Sequence, residues 1–347
     1  IFLGPEKLPD FKIVSRIRTE LSRKLHVSTI QHILAKAWKP YIQNPNVVME
    51  DATCYESYIR YPTNVKLLWE SVDWMHGQMK LTCKYLKIPV PRTKYLEQKD
   101  KYFAYMRMRK KPWKATIKRT RSLLYLLNKL IELQEKIEDQ KRSRIRFPEK
   151  YYTRKRVIRK VLSQQKQIFL TKKSVPDRIV SIAKSYVRPI VRGKEVKSVE
   201  FGAKVNMIQF DGINFIEHLS FKPFNEGTRL INSVWYSRTL FGKITHLSAD
   251  DIYATNANRT YCSNQKITTN FKRKGRAGKH EDHRQIMAME LRKERATRME
   301  GSFGTEKQHY SLDKIKARTE LNEILWIFFG VHTANAVRIA KRMAQEK

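Results

Sequence analysis

The sequence predicts an α+β protein: a mixed sheet flanked by helices, with a helical segment in front and a large helical insertion. Three patterns carry this. Apolar residues recur at helical spacing through much of the first half of the chain. A clean period-two alternation, Val199, Phe201, Ala203, Val205 and Met207, appears only afterwards. Short apolar runs that end in acids, Val47 to Asp51 and Ile244 to Asp250, stand on either side of the helical block.

The chain has 347 residues and 41% hydrophobic content, enough for two or three domains with a sizeable core. Lys and Arg number 71 against 33 Asp and Glu, a net charge of +38. A field of that size needs a polyanion, and nucleic acid fits best because each phosphate contacted releases counterions. No apolar run approaches the roughly 18 residues of a spanning helix, and no secretory signal opens the chain. Cys54, Cys83 and Cys262 are odd in number and have neither zinc spacing nor a disulfide framework, which points to a reducing cytoplasm. The first residue is Ile1, so the true N-terminus is expected to be missing.

Residues 1–45 carry two helical patterns broken at His26-Val27-Ser28; they read either as a loose helix-turn-helix or as plain helical packing. Val47 to Met49 read as a buried strand closed by Glu50 and Asp51. A helix is expected from Val65 to about Leu86, and Lys87 to Asp100, with Pro89 and Pro91, as a connection. Tyr102 to Ile182 read as helical and basic. Leu123, Leu130 and Ile137 recur every seven residues with Leu126 and Leu133 between, giving a coiled-coil-like arm or a bundle helix of roughly four turns. The runs Arg107 to Lys111, Lys118 to Arg121 and Arg154-Lys155-Arg156 with Arg159 lack offsetting acids. With Tyr102, Phe103, Tyr105, Trp113, Tyr151 and Tyr152 interleaved, they favour a nucleic-acid backbone.

The alternating strand is followed by Asp211-Gly212, a hairpin turn, and a return strand from Ile213 to Phe221. A helix from about Thr228 to Leu240 stops at Gly242. Ile244 to Asp250 then delivers a carboxylate at a strand end, ahead of a helix capped by Asn256 or Asn258. Alternation puts Leu247, Ala249 and Asp251 on one face and Ser248 and Asp250 on the other, which selects Asp250 as the functional acid. A short strand, Ile267 to Asn270, leads to a flexible basic loop, Phe271 to His283, holding Arg276; Gly278-Lys279 there lacks the glycine offset of a phosphate loop, and His280 and His283 read as solvated. The last elements are a helix from Arg284 through Glu300 and an apolar helix around Leu325 to Ala336. Gly301 and Gly304, costly in a helix, suggest close approach of another backbone or of DNA.

Strand with acid, hairpin, helix, strand with acid, short strand, helix with acid: this is the order of a ribonuclease-H-like fold, whose carboxylates hold two divalent cations. Three segments also resemble a bacterial insertion-sequence transposase of the DDE class. They are Asp51-Ala52-Thr53 with Glu56-Ser57 and Arg60-Tyr61-Pro62-Thr63; Ala249-Asp250-Asp251-Ile252-Tyr253 with Asn258-Arg259; and Glu300-Gly301-Ser302-Phe303-Gly304 with Tyr310 and Leu312-Asp313. The resemblance implies that Asp51, Asp250 and Glu300 form a catalytic triad binding two Mg²⁺, or Mn²⁺ in their place. Asp250 stands three residues before Tyr253, the spacing of the family's middle acid.

The resemblance further implies a catalytic domain from 46–64 and 198–345, an insertion at 65–197, terminal inverted repeats and target DNA as double-stranded partners, a homodimer, and a bacterial, nucleoid-associated location. Related transposases place a Tyr and an Arg before the Glu and a Lys after it. Lys307 holds the downstream position, but Lys293 and Ala296 hold the upstream ones, so Arg295 or Arg298 is expected to assist. Arg259, Arg276, Arg154, Lys155, Arg156 and Arg159 complete the expected DNA contacts. A nuclease or resolvase with the same acids, and a non-catalytic nucleic-acid-binding protein, are the alternatives.

Overall fold

The structure is a computed structural model that describes residues 10–141, 144–191, 199–276 and 280–345. The chain divides into two compact units, Ile1–Tyr58 with Ile190–Lys347, and Ile59–Pro189.

The first unit begins with α1 (Phe11–Lys24) and α2 (Val27–Trp38). The Gln31 carboxamide of α2 both donates to and accepts from the Ile216 backbone, so α2 is engaged in packing. Next comes β1 (Val47–Ser57). The sequence expected this strand to close at Glu50 and Asp51; it runs six residues further because a long antiparallel partner satisfies its backbone as far as Glu56. Tyr55 and Ser57 are buried in that extension.

The second unit is a helical bundle: α3 (Asn64–Leu86), α4 (Tyr95–Arg107), α5 (Trp113–Gln140) and α6 (Glu149–Thr171). The 28 residues of α5 make nearly eight turns, about twice the expected length. Leu123, Leu126, Leu127, Leu130 and Ile137 are buried in one core with Leu68, Met75 and Met79 of α3 and Ile158 and Val161 of α6. The heptads thus belong to a bundle helix whose seam is covered by its own chain. Tyr102, Tyr105 and Tyr151 belong to the interior, with Tyr102 stacked on Trp69 at 4.7 Å; only Phe103, Trp113 and Tyr152 of the interleaved aromatics are exposed. Helix ends at Thr171, not near Ile182: Lys172 turns left-handed and the chain continues irregularly.

The chain then forms β2 (Pro189–Val191), β3 (Val199–Phe210) and β4 (Ile213–Ser220), with Asp211 and Gly212 at positive φ in the hairpin turn. β3 is covered on both faces along most of its length, where alternation predicted one; at Gly202 an added Cβ would lie 2.0 Å from the Tyr55 carbonyl, so only glycine admits the β1 backbone. There follow α7 (Leu230–Phe241), β5 (His246–Ala249), a 3₁₀ turn Asp251–Tyr253, α8 (Asn256–Asn264) and β6 (Thr268–Thr269). Thr255, not Asn256 or Asn258, caps α8, its hydroxyl accepting from the Asn258 amide. The end of the chain holds α9 (Glu281–Glu294), a π segment Arg295–Glu300, α10 (Gly301–His309), β7 (Lys314–Ile315) and α11 (Glu320–Gln345). No helix among the described residues is long and apolar enough to cross a membrane. The tip of the expected basic loop, 277–279, lies outside the described residues.

The sheet is mixed. β1 pairs antiparallel with β3 and parallel with β5; β4 pairs antiparallel with β3, β6 parallel with β5, and β7 parallel with the end of β1. α7 covers the face bearing Val48 and Glu50, where Phe210, Phe215, Val234 and Leu247 form the core. The π segment, α10 and α11 cover the face bearing Asp51, Tyr55 and Ser57.

Candidate active site

The site begins with a register. β1 and β5 run parallel, and their last paired residues are Glu50 and Ala249. Asp51 is the next residue of β1 and Asp250 the residue directly after β5, and Asp250 keeps an extended backbone at φ −69°, ψ 162°. Side chains in register on neighbouring parallel strands point to one face at roughly the 4.8 Å strand spacing. Ser248, two residues before Asp250, donates to the Leu291 carbonyl of α9 at 2.8 Å, which identifies that face as the one bearing Asp51. Asp251 has left the strand and opens the 3₁₀ turn, where its amide donates to Asp250 at 2.8 Å.

Glu300 arrives from the helix across that face. Arg295 joins the two sides: its Nη1 lies 2.7 Å from Asp51 Oδ2 and 3.4 Å from Glu300 Oε1. Two carboxylates on one nitrogen can be no farther apart than those two distances laid end to end. The register of Arg295 depends on the π segment. On an α turn the residue four before Glu300 shares its face, and that residue is Ala296; a π turn closes between i and i+5, which brings Arg295 round instead. The sequence carried no sign of the extra residue.

Burial pushes Asp51 up to about 6; Arg295 and the Ala52 amide pull against that, and Asp250 adds to it. Neighbouring Glu50, on the opposite face, is fully buried. Desolvation pushes it to about 8 although Asn206 and Ser233 donate to its Oε1, and its Oε2 has no hydrogen-bond partner among the described residues. Asn206 also accepts from Tyr253, so it links the turn after Asp250 to Glu50 of β1.

The donor set is all oxygen, as hard divalent cations prefer. As the side chains lie, no three His, Cys, Asp or Glu residues among those described stand close enough together to hold an ion. The separation of Asp51 from Glu300 is that of a guanidinium bridge, with Arg295 between them.

The other expected contacts are dispersed. Arg298 pairs with Asp211 at 2.5 Å and with Glu294 at 2.7 Å. Arg259 donates to the carbonyls of Ala254 and Lys272, so it braces its own loop. Arg276 is exposed. Lys307 is half-buried, with Nζ 5.8 Å from the centre of the Tyr55 ring, on a helix that Gly301 and Gly304 do not break. A Cβ at either glycine would meet nothing within 4 Å, so no backbone described here approaches them. In the helical unit, Arg156 is exposed and Arg154 half-buried, but Lys155 is buried against Glu138 at 2.6 Å and Glu135 at 3.7 Å, and Arg159 also pairs with Glu135. This corrects the expectation that the whole run lacks acids and faces DNA: packing α6 on α5 brings the acids across.

A cleft of about 810 Å³, lined by Asp211, Arg298, Gly301, Arg338 and Arg342 among others, lies along the helix that bears Glu300, but none of the three acids lines it. Comparison with protein-family models, with curated proteins and with solved structures finds no match. Glu50 stood out in the sequence only as an acid closing a strand, and Asn206, Asn270 and Glu306 carried no signal there. All four are buried polar residues whose partners are distant in sequence, as with Glu306, which accepts from Tyr55 and from Asn214 at 2.6 Å.

Proposed function

We propose that this chain is a metal-dependent DNA transposase of the DDE class, with Asp51, Asp250 and Glu300 as its catalytic acids. One observation carries the reading: two aspartates leave adjacent parallel strands side by side, on the face where a helical glutamate shares a guanidinium with one of them. The sequence β4-β3-β1-β5-β6, antiparallel and then parallel, is the arrangement we read as ribonuclease-H-like. The charge of +38 suits a DNA partner.

In this reading Asp51, Asp250 and Glu300 would hold two Mg²⁺, which would supply Lewis-acid activation and charge stabilisation at the phosphate. The rigid strand ends position Asp51 and Asp250, and Arg295 is the resting counter-ion. The enzyme then cuts at the element's ends and joins the freed 3′-hydroxyl to target DNA, acting as a homodimer on two ends.

The test is to incubate the protein with a linear duplex carrying those ends, with Mg²⁺ or with EDTA. Nicked and joined products that need Mg²⁺ and vanish in Asp51→Asn, Asp250→Asn and Glu300→Gln, with DNA binding retained, are the expected result. Cutting without joining would make it a nuclease, and full activity in Asp250→Asn with loss in Asp251→Asn would move the middle acid.

A further inference from the structure

Three side-chain carboxamides do the work of missing strand residues in this sheet. Gln31 pairs with both backbone groups of Ile216, Asn335 with both of Asn214, and Asn270 with both of Ala249. The first two close β4. The third lies beside the candidate site. β6 pairs with β5 only as far as Leu247 with Thr269. Beyond that point Asn270, 4% exposed, accepts from the Ala249 amide at 3.0 Å and donates to the Ala249 carbonyl at 2.9 Å. Ala249 is itself buried, and its next residue is Asp250. Without Asn270 both backbone groups would be stranded, and a buried unpaired group drives the chain to rearrange.

Asn270 also reaches the other side of the site. Its backbone carbonyl accepts from Arg292 at 2.8 Å, and the preceding residue of α9, Leu291, accepts from Ser248. One residue therefore ties the strand that ends at Asp250 to the helix that leads through the π segment to Glu300.

We infer that Asn270 is a positioning residue that sets the separation of Asp250 from Glu300, and so the affinity of the acids for divalent cations. The inference rests on the functional reading above. Partners of this kind, one shell behind a metal ligand, change metal affinity or activity by about 10–100-fold when removed. A purely structural role predicts instead that Asn270 behaves like Gln31, which closes the sheet elsewhere and touches no part of the acid cluster.

The experiment compares wild type, Asn270→Ala and Gln31→Ala by thermal unfolding and by calorimetric titration with Mn²⁺ alone, with Asn270→Ser, which keeps a small polar side chain there, replacing the alanine variant should that one not fold. Both variants are expected to melt lower than wild type. Only the Asn270 variant should weaken Mn²⁺ binding tenfold or more, and lower kcat on DNA at unchanged KM. Equal Mn²⁺ affinity in a folded Asn270 variant, or an equal loss in Gln31→Ala, overturns the inference and leaves the metal reading standing. Wild type that binds no Mn²⁺ overturns both.

Discussion

Under the proposed function, divalent cations would compete with Arg295 for the same carboxylate oxygens. Its guanidinium lies on Asp51 and Glu300, mostly out of solvent, with Nε unpartnered among the described residues. Removing it should therefore free the acids: Arg295→Gln is expected to bind Mn²⁺ as well as wild type or several-fold tighter while cutting DNA more slowly. Calorimetry checks this, and a tenfold weaker affinity would show that Arg295 supports the metals. A second residue gives a pH signature away from the acids. His332 is buried, with Nε2 3.0 Å from Gln31 Oε1 and Nδ1 3.2 Å from the Asn335 amide nitrogen. Both ring nitrogens are used by the neutral form, and desolvation pulls its pKa from 6.5 to about 3. The unfolded chain takes up a proton through that window and the folded one does not, so this contribution to stability is whole above 6.5 and is lost as pH falls toward 3. Relative to His332→Gln, wild type should lose on the order of 3 kcal/mol more between pH 7 and pH 4, read from denaturant melts.

The π segment makes a prediction that belongs to the helix as a whole. If Arg295–Glu300 is an α turn with one residue too many, deleting Ala296 should leave a plain α-helix that keeps the Arg four residues before Glu300 and preserves the contacts of α9 and α10. Stability should hold or rise, whereas deleting Thr305 would turn Glu306 away from Tyr55 and Asn214 and lower the melting temperature sharply. In α6, Lys155→Ala should cost about 3 kcal/mol by leaving Glu138 without its cation, while Arg159 still pairs with Glu135, and should not alter the salt dependence of DNA binding. Arg156→Ala should leave stability unchanged and flatten the log-log salt slope by up to about 0.9 if it meets a phosphate. These contrasts mark how far the sequence could be read. The hairpin, the end of α7 and the presence of β3 announced themselves through local chemistry, Asp211-Gly212 at positive φ, Gly242 after α7 and alternation in β3, whereas the ends of β1 and α6 did not. Asp250 was separable from Asp251 by period two alone. What stayed hidden was non-local. Nothing beside Lys155 reveals that Glu138 will face it, nothing near Tyr102 that Trp69 will stack on it, and an inserted residue in a helix has no composition of its own.

Across the whole molecule the 71 Lys and Arg are not one undifferentiated surface, because Lys155, Arg188 and Lys204 are largely consumed by acids of their own chain while Arg156 and Arg276 are open to solvent. The separation of the two units is equally uneven along the chain. The helical unit is continuous, from Ile59 to Pro189, and can complete its contacts as it is made; the sheet unit lies on both sides of it. β1 therefore leaves the ribosome about 150 residues before β3, the strand that pairs with it from Met49–Gln209 to Glu56–Gly202. At ordinary synthesis rates that is roughly ten to thirty seconds in which β1 carries unpaired edges. High contact order of this kind slows refolding, and pulse-labelled hydrogen exchange should find α3, α5 and α6 protected well before β1 and β3. Gly202 sharpens the point. Because its missing Cβ is what lets the two strands close, Gly202→Ala should lengthen that unpaired interval and send more of the newly made chain to aggregation, even under conditions where the finished fold survives the substitution.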